Sequence, residues 1–213
     1  MTDFLENGTA KVGTILLAHG AGAGMDSDFM ESFACGLADR GFQVLRFEFP
    51  YMAARRQDGK RRPPDRAPKL MDAFRAAIAE VREKHKPAKL IIGGKSMGGR
   101  IASMIAAEDA GTCDGLLLLG YPFHPPGKPE KLRTAHLGDI TVPTLLVQGE
   151  RDPFGGRALV DTLDLPGTFT PFWATDGNHD LSPRKASGTT AEKNRTAAMD
   201  TTARYFGQTT PEA

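Results

Sequence analysis

The sequence predicts an α/β protein, a three-layer α/β/α sandwich with a mostly parallel sheet of about six strands. Two observations indicate this fold. Short apolar runs alternate with longer segments whose apolar residues recur at helical spacing. The runs are also apolar throughout, which is typical of parallel strands that helices cover on both faces. A chain of 213 residues has the length of one domain, so we expect residues 1–213 to form a single fold.

Six apolar runs are predicted as strands, at residues 13–18, 42–49, 90–92, 115–120, 143–148 and 168–173. Five segments are predicted as helices, at residues 25–40, 68–85, 97–109, 154–163 and 191–206. Polar residues and prolines predict a loop over residues 53–67. Polar and glycine-rich clusters follow several strands, and parallel sheets bind their ligands beyond the carboxyl ends of the strands. We therefore expect the functional groups at one edge of the sheet.

The composition is typical of a globular protein and excludes several classes of function. Lys plus Arg, 27, nearly equals Asp plus Glu, 26, so we expect neither a nucleic-acid partner nor a membrane partner. No apolar run approaches the roughly 20 residues that span a bilayer, and the first residues lack the features of a signal peptide. Cys35 and Cys113 have no metal-site spacing, so we expect a cytoplasmic protein in which both are reduced, buried thiols.

The stretch Gly94–Gly98 reads Gly-Lys-Ser-Met-Gly and lies between the predicted strand 90–92 and the predicted helix 97–109. A Gly-x-Ser-x-Gly sequence in this setting is typical of a nucleophile elbow, a tight turn that lifts a serine hydroxyl above the sheet. Glycines are expected around the serine because its strained backbone brings neighbouring chain too close for a Cβ. We therefore predict that Ser96 is a nucleophile.

A serine hydroxyl needs an adjacent base to become a nucleophile, and an acid to orient that base. In proteins with this elbow the acid follows the serine along the chain and the histidine comes last. Glu150 and Asp152 follow the predicted strand 143–148, and His179 is the only histidine beyond them. We predict His179 as the base. Asp152 is preferred over Glu150 as the acid because it lies deeper in the loop.

Acyl transfer also needs hydrogen-bond donors for the oxyanion that forms in the transition state. The backbone N–H groups of Met97, at the start of a helix, and of Ala21, in the glycine-rich loop after the first predicted strand, are the predicted donors. His19 is expected to brace this loop rather than to react. This chemistry requires no cofactor, and no spacing of His, Cys, Asp or Glu resembles a metal site.

Lys95 and Arg100 flank the elbow and place the predicted nucleophile in basic surroundings. The side chain of Lys95 is expected in or beside the pocket. Arg100 is expected to pair with an acidic group such as Asp152, Asp176 or Glu48.

A basic segment with seven Lys or Arg residues and two Asp residues spans residues 55–69. Such a run is usually a solvated loop. It is also consistent with a rim that steers anionic substrates, or with a docking surface for an acidic partner, because it follows a strand on the expected catalytic edge. The candidate substrate-binding residues are Arg61, Arg62, Lys95, Tyr51 and His124.

Six stretches together carry a resemblance to a known family. They are Leu17–Gly22, Phe47–Met52, Arg62–Pro64, Gly93–Arg100, Val147–Gly155 and Gly177–Asp180. The chain resembles the small α/β-hydrolases of the dienelactone-hydrolase-like kind, which lack a lid domain. It is more closely similar to the family that contains the hydrolase-like domain of a histone-acetyltransferase-complex subunit together with uncharacterised bacterial proteins.

The resemblance implies an α/β-hydrolase fold without a lid and a Ser-His-Asp triad, but it implies no substrate. The antiparallel hairpin that opens the sheet of larger hydrolases must be missing or reduced to part of residues 1–11. The leading hypothesis is a serine hydrolase that cleaves a small ester or thioester, neutral or anionic, through an acyl-enzyme. The alternatives are a hydrolase-like interaction module with little activity, and a cofactor-free perhydrolase or haloperoxidase that uses the same triad.

Overall fold

The computed structural model describes residues 2–208, which form a seven-stranded sheet between helices. The strands are β1 Phe4–Asn7, β2 Gly13–Ala18, β3 Phe42–Phe47, β4 Leu90–Lys95, β5 Gly115–Leu119, β6 Thr144–Gly149 and β7 Phe169–Ala174. Their spatial order is β1-β3-β2-β4-β5-β6-β7. Strand β1 runs antiparallel to β3, and the other neighbouring strands are parallel. The predicted sandwich with a mostly parallel sheet is confirmed, with one strand more than the expected six.

Helices cover both faces of this sheet. They are α1 Asp28–Ala38, α2 Pro50–Asp58, α3 Ala67–His85, α4 Met97–Glu108, α5 Arg157–Val160 and α6 Ala191–Gln208. Strand β2 shows how the core divides: Leu16 packs in the cluster with α3 and α4, whereas Ile15 and Leu17 pack in the cluster with α1 and α6. Successive side chains of a strand point to opposite faces. A strand that is apolar throughout therefore needs a helical layer on each side.

Strand β1 is not among the strands predicted from apolar runs, but it lies within residues 1–11, to which the antiparallel opening of the sheet was expected to be reduced if it was not missing. It pairs with β3 from Phe4 opposite Phe47 to Asn7 opposite Val44. Its four residues are half-buried or exposed and show no continuous apolar run. Such a short edge strand is ordered by pairing with a distant segment, which local sequence does not encode.

The loop expected over residues 53–67 is wrong for its first half, because helix α2 extends from Pro50 to Asp58. Proline suits the first position of a helix, where no backbone N–H is needed. Gly59, at φ 71°, ends the helix in the left-handed conformation. Only Tyr51 and Met52 of this helix are buried, so it lacks the apolar stripe by which helices are recognised.

The expectation that both cysteines are buried is wrong for Cys35. Cys113 is buried, whereas Cys35 is exposed, and both are free thiols. Helix α1 turns Phe33 and Leu37 toward the core, and Cys35 lies on the opposite side of the helix. Its Sγ donates a hydrogen bond to Glu31 Oε1 at 3.2 Å.

The parallel strands place several polar loops at one edge of the sheet. The loops after β2, β4, β6 and β7 carry Ala21, Ser96, Asp152 and His179 respectively. Within residues 2–208 no separate lid domain is present. No helix within residues 2–208 is long and apolar enough to cross a membrane.

Candidate active site

Ser96 lies at the sharp turn between β4 and α4. Its backbone has φ 51° and ψ −114°, a conformation that costs energy for any residue with a Cβ. Two hydrogen bonds hold the turn: Ser96 N donates to Leu119 O at 2.9 Å, and Arg100 N donates to Ser96 O at 3.0 Å. The chain therefore turns from strand to helix within one residue, as the nucleophile elbow requires.

Gly94 and Gly98 allow the elbow to pack against the end of β2. A Cβ at Gly94 would lie 2.2 Å from Ala18 O, and one at Gly98 would lie 2.3 Å from the same oxygen. Both distances are far below van der Waals contact, and the obstacle is backbone that cannot rotate away. The two glycines of the motif are thus required by close backbone approach. This approach brings the start of α4 beside the loop that follows β2.

Asp152 lies in the tight turn after β6, and its side chain is fully buried, with 0% exposure. Its Oδ1 accepts a hydrogen bond from Phe154 N at 2.8 Å. Its Oδ2 lies 2.8 Å from His179 Nδ1 and accepts a second hydrogen bond from Gln148 Nε2 at 3.1 Å. One oxygen is therefore held by the loop itself and the other by the end of β6, so the carboxylate faces the imidazole in a fixed orientation.

Gln148 is a residue of the site that the sequence analysis does not identify. It is completely buried at the end of β6. Besides Asp152, its Nε2 donates to Gly155 O at 2.8 Å and Tyr121 O at 3.1 Å, and its Oε1 accepts from Tyr121 N at 2.7 Å. The sequence does carry one signal for Gln148, since it is a polar residue in an otherwise apolar strand. A buried amide must form hydrogen bonds, so a polar residue at such a position indicates a set of buried partners.

The loop that carries His179 is clamped to the loop that carries Asp152. Arg151 Nε donates to Asp176 Oδ1 at 2.7 Å, and Arg184 binds the same carboxylate at 2.6 Å. The hydrogen bonds from Arg184 lower the pKa of Asp176 to about 2. Glu150 Oε2 accepts from Asp176 N at 2.7 Å. Glu150, the alternative acid, therefore holds this clamp, and Asp152 is the carboxylate that contacts His179.

The ring of His179 packs edge-on against Phe154, with 4.6 Å between the ring centroids. Its own backbone is tied to the elbow, because Lys95 Nζ donates to His179 O at 2.5 Å. The same ammonium group lies 3.2 Å from Asp180 Oδ1. Lys95 is buried, and this burial lowers its pKa. Lys95 thus connects the strand before Ser96 to the loop that carries His179.

Two side chains hold the loop that contains Ala21. Tyr51 Oη donates to Ala21 O at 3.0 Å and lies 3.2 Å from Gly20 O. His19 Nδ1 lies 2.7 Å from Gly20 O, while its Nε2 accepts a hydrogen bond from Phe49 N at 3.1 Å. This pattern fits a neutral imidazole with the proton on Nδ1, and burial lowers the pKa of His19. His19 therefore has the bracing position expected of it.

A cavity of about 700 Å³ opens beside Ser96 and brings the predicted serine and histidine to one wall. Helix α1 and the loop after β2 form the opposite wall. The lining residues are Gly20–Ala23, Ser27–Met30, Lys95, Ser96, Phe154, His179, Asp180 and Arg195. Ser96, His179 and Ala21 thus face the same space.

A second, smaller cavity of about 330 Å³ also borders Ser96 and lies toward α3 and α4. Its lining residues are Ala21, Pro64, Asp65, Ala67, Leu70, Ser96, Met97, Arg100, Ile101, Pro122, Pro126, Arg133 and Phe154. Met97 N–H, at the first position of α4, has no acceptor within the helix. The second cavity therefore contains both backbone positions that are predicted to bind the oxyanion.

The expected acidic partner of Arg100 is not found. Asp152 contacts His179, Asp176 binds Arg151 and Arg184, and Glu48 pairs with Arg56 at 2.7 Å. All three carboxylates that were considered are bound elsewhere, so Arg100 extends into the second cavity instead.

The other candidate substrate-binding residues lie outside both cavities beside Ser96. Arg61 and Arg62 are in the loop after α2, and Arg62 forms an ion pair with Asp58 at 2.5 Å. His124 is buried, with Nδ1 2.9 Å from Pro125 O. Tyr51 hydrogen-bonds to the loop that contains Ala21 and lines neither cavity. Only Lys95 of this group lines a cavity there.

Three of the seven basic residues in the segment 55–69 form ion pairs within the described residues. Arg56 binds Asp26 and Glu48, Arg62 binds Asp58, and Lys69 binds Asp65. Across the part of the chain that the structure describes, no group of three or more His, Cys, Asp or Glu side chains is arranged to hold a metal ion.

Comparison with known proteins assigns the family. The family model described as "Alpha/beta hydrolase domain" matches residues 11–207. A dienelactone hydrolase from Anabaena variabilis superposes with a TM-score of 0.71 at 21% identity, over 95% of this chain and 90% of that one. An alpha/beta serine hydrolase without a lid from Xanthomonas campestris gives 0.68 at 20% identity, over 99% and 91%.

A third similar structure is Est1E from Butyrivibrio proteoclasticus, with a TM-score of 0.70 at 12% identity over 97% of this chain and 95% of that one. At such identities the likeness is one of fold. The narrower resemblance to the family of the histone-acetyltransferase-complex subunit stays a prediction. The family match itself covers nearly the whole chain, and the structure has the corresponding sheet and elbow. The chain therefore belongs to the alpha/beta hydrolase domain family.

Proposed function

We propose that this protein is a serine hydrolase that cleaves a small ester or thioester through an acyl-enzyme on Ser96. The observation that carries the proposal is the position of His179. Its Nδ1 lies 2.8 Å from the buried carboxylate of Asp152, and the residue lines the same cavity as Ser96. Because Nδ1 is bound to the acid, Nε2 is the ring nitrogen that is left to exchange a proton with substrate or serine.

The first half of the reaction transfers the acyl group to the enzyme. Ser96 Oγ attacks the carbonyl carbon while His179 Nε2 takes the hydroxyl proton. Asp152 stabilises the imidazolium that results and keeps the neutral ring in the tautomer with the proton on Nδ1. The tetrahedral intermediate then collapses, and His179 gives the proton to the leaving alcohol or thiol.

The oxyanion of that intermediate would be bound by the N–H groups of Met97 and Ala21. One such donor contributes about 2.7–4 kcal/mol to the transition state. The positions of both donors are supported by the packing around them, since Gly98 lets the start of α4 approach β2 and Tyr51 fixes the carbonyl of Ala21. Preorganised donors of this kind need no rearrangement during the reaction.

The second half hydrolyses the acyl-enzyme. A water molecule, deprotonated by His179, attacks the ester carbon, and the proton returns to Ser96 Oγ as the acid product leaves. The two cavities beside Ser96, about 700 and 330 Å³, give room for a leaving group on one side and a short acyl chain on the other. No metal or cofactor takes part in these steps.

A panel of p-nitrophenyl esters and acyl thioesters tests the proposal, with turnover compared between the wild type and Ser96→Ala. We expect Ser96→Ala to abolish turnover. In the wild type, mass spectrometry of a rapidly quenched reaction should show the acyl adduct on the peptide that contains Ser96. Ser187→Ala is the matched control, because Ser187 lies in a surface turn far along the chain from the elbow.

The alternative function, a hydrolase-like interaction module, predicts a different result. A folded wild type that turns over no ester or thioester, or a Ser96→Ala variant as active as the wild type, would contradict the proposed hydrolase. Among the described residues the surface offers little to an apolar partner, since Leu132 is its one exposed large hydrophobic side chain.

A further inference from the structure

We propose that the smaller cavity beside Ser96 is an anion subsite, in which Arg100 and Arg133 bind a carboxylate at the far end of the acyl group. The inference rests on the proposed function and narrows it to esters or thioesters of short dicarboxylic acids. Three features of the cavity support it: an unpartnered buried donor, two guanidinium groups without an acidic partner, and direct continuity with the predicted reaction centre.

The first feature is the Nε of Arg100. This nitrogen is buried and has no hydrogen-bond partner in the protein. Buried polar groups of native proteins nearly always have a partner, and a charged group without one is especially costly. A guanidinium also stays protonated at any accessible pH, so it cannot escape this cost by losing its proton. A bound anion would supply the missing acceptor.

The second feature is that two positively charged guanidinium groups line the same cavity. Arg133 lines the same cavity as Arg100, and in residues 2–208 neither guanidinium forms an ion pair. Burial and the nearby charge of Arg100 lower the pKa of Arg133. The same charge of Arg100 adds to burial in lowering the pKa of His136. The positive charge of Arg100 therefore acts on Arg133 and His136. Among the described residues no carboxylate forms an ion pair with Arg100 that would neutralise this charge.

Asp65 is the acidic residue on the wall of this cavity. Its Oδ1 is bound by Lys69 at 2.9 Å, and its Oδ2 is buried without a hydrogen-bond partner. Asp65 forms no ion pair with either arginine, and its charge is balanced by Lys69. The cavity therefore keeps an excess of positive charge. Because like charges repel, the carboxylate of a substrate cannot lie close to Asp65 Oδ2.

The third feature is the position of the cavity relative to the reaction. Its walls include Ser96, Met97 and Ala21, which are the predicted nucleophile and the two predicted oxyanion donors. An acyl group whose carbonyl lies there can extend its chain along the apolar side chains of Leu70 and Ile101 toward the arginines. A planar guanidinium binds both oxygens of a carboxylate, which favours this anion for the end of the chain.

Two p-nitrophenyl esters of equal length test the subsite. In mono-p-nitrophenyl glutarate a carboxylate replaces the terminal methyl group of p-nitrophenyl pentanoate, and the rest of the acyl chain is identical. We expect the wild type to prefer the glutarate in kcat/KM. Arg100→Gln and Arg133→Gln should each lower the ratio of the two kcat/KM values by about tenfold or more, mainly through KM, since each removes a charge-assisted hydrogen bond.

Matched controls separate direct binding from general charge effects. Arg204→Gln removes one positive charge from an exposed position on α6 and should leave the ratio unchanged. Asp65→Asn should raise the ratio, because it removes the one carboxylate of the cavity wall. If the rim formed by Arg61 and Arg62 supplied the preference instead, the double variant Arg61→Ala/Arg62→Ala would abolish it, and 0.5 M salt would do the same.

Binding of free glutarate provides a test that does not depend on catalysis. Glutarate should raise the Tm of Ser96→Ala and should have no effect on Ser96→Ala/Arg100→Gln. If the wild type hydrolyses both esters equally and glutarate leaves the Tm unchanged, the subsite is wrong and the hydrolase stands. If glutarate raises the Tm but neither ester is cleaved, the subsite stands and the hydrolase is wrong.

Discussion

At the scale of single residues, the site depends on how the hydrogen bonds of one carboxylate are distributed. The side chain of Asp152 has no exposed surface, and its two oxygens accept from Phe154 N, Gln148 Nε2 and His179 Nδ1. Phe154 belongs to the same loop as Asp152 and Gln148 to the strand just before it, so the geometry toward His179 is set before any substrate binds. The carboxylate of Asp152 is therefore a fixed acceptor for His179 Nδ1–H.

Asp152→Asn tests this assignment of the acid. The amide would present an N–H₂ group or a weaker acceptor to His179 Nδ1, and the imidazole would favour the wrong tautomer. We expect kcat to fall about 10⁴-fold with the fold intact. The measurement is ester turnover beside a thermal melt. Glu150→Gln is the matched control in the same loop and should stay within a few-fold of the wild type, because Gln can still accept from Asp176 N. A larger loss for Glu150→Gln than for Asp152→Asn would reverse the assignment.

The sequence predicts the residues of the triad but not the residues that position them. The order Ser96, Asp152, His179 follows from the motif and from the scarcity of later histidines. Gln148 stands out as a polar residue in an apolar strand, but its role could not be derived from the sequence, since its partners at Tyr121 and Gly155 meet it only in the folded chain. Arg133 likewise reaches the second cavity only because the segment after β5 folds back over α4.

At the scale of elements, the site is a set of loops that are fixed to one another. Loops after β6 and β7 are joined by Arg151, Asp176 and Glu150, and Lys95 ties the end of β4 to the histidine loop. Gly149 permits this contact, because a Cβ there would lie 2.3 Å from Asn178 O. The histidine is thus positioned by its neighbours rather than by its own short loop.

Gln148→Leu tests whether the end of β6 positions the acid. The substitution keeps the approximate volume of the side chain but leaves Tyr121 N without an acceptor and Asp152 without one donor. We expect the free energy of unfolding to fall by about 1–3 kcal/mol, and kcat to fall while KM changes little. Urea denaturation and ester kinetics measure the two effects. Gln57→Leu, on the exposed face of α2, is the control. Wild-type values of stability and kcat in Gln148→Leu would contradict this role.

At the scale of the whole molecule, the parallel sheet explains both what the sequence predicts and what it misses. Strands β2 to β6 are buried on both faces almost throughout and so appear as apolar runs, whereas the edge strand β7 is buried only at its two ends. The polar clusters follow these strands, and their convergence on one edge could be predicted from the fold class alone. The position of strand β1 and the existence of helix α2 could not, because one depends on pairing with a distant strand and the other lacks an apolar stripe.

The stability of the molecule should depend on two histidines that remain neutral in the native state, the buried His19 and the half-buried His136. Burial lowers the pKa of His19, and burial with the charge of Arg100 lowers that of His136 to about 4. Below their unfolded value of about 6.5 the unfolded chain binds protons that the native protein does not. The free energy of unfolding should therefore fall as the pH decreases from 6.5 toward 4.

Urea denaturation between pH 4 and pH 7.5 measures this dependence. His136→Gln should flatten the curve between pH 4 and 6.5, because it removes one of the two groups and retains a polar side chain that can hydrogen-bond with Ser103 Oγ, which lies 2.8 Å from His136 Nε2. His85→Gln is the control, since His85 is half-buried at the end of α3 and its Nε2 lies 3.6 Å from Glu6 Oε1. Equal slopes for the wild type and His136→Gln would show that His136 is protonated in the native protein.

The most direct test of the central claim is labelling by a fluorophosphonate probe, which reacts only with serines that a neighbouring base activates. The wild type should be labelled at Ser96, Asp152→Asn should be labelled far more slowly, and Ser96→Ala should not be labelled at all. Near-UV circular dichroism establishes that each variant is folded. Equal labelling of Ser96→Ala and the wild type, or a folded wild type that the probe does not label, would contradict the claim that Ser96 is an activated nucleophile.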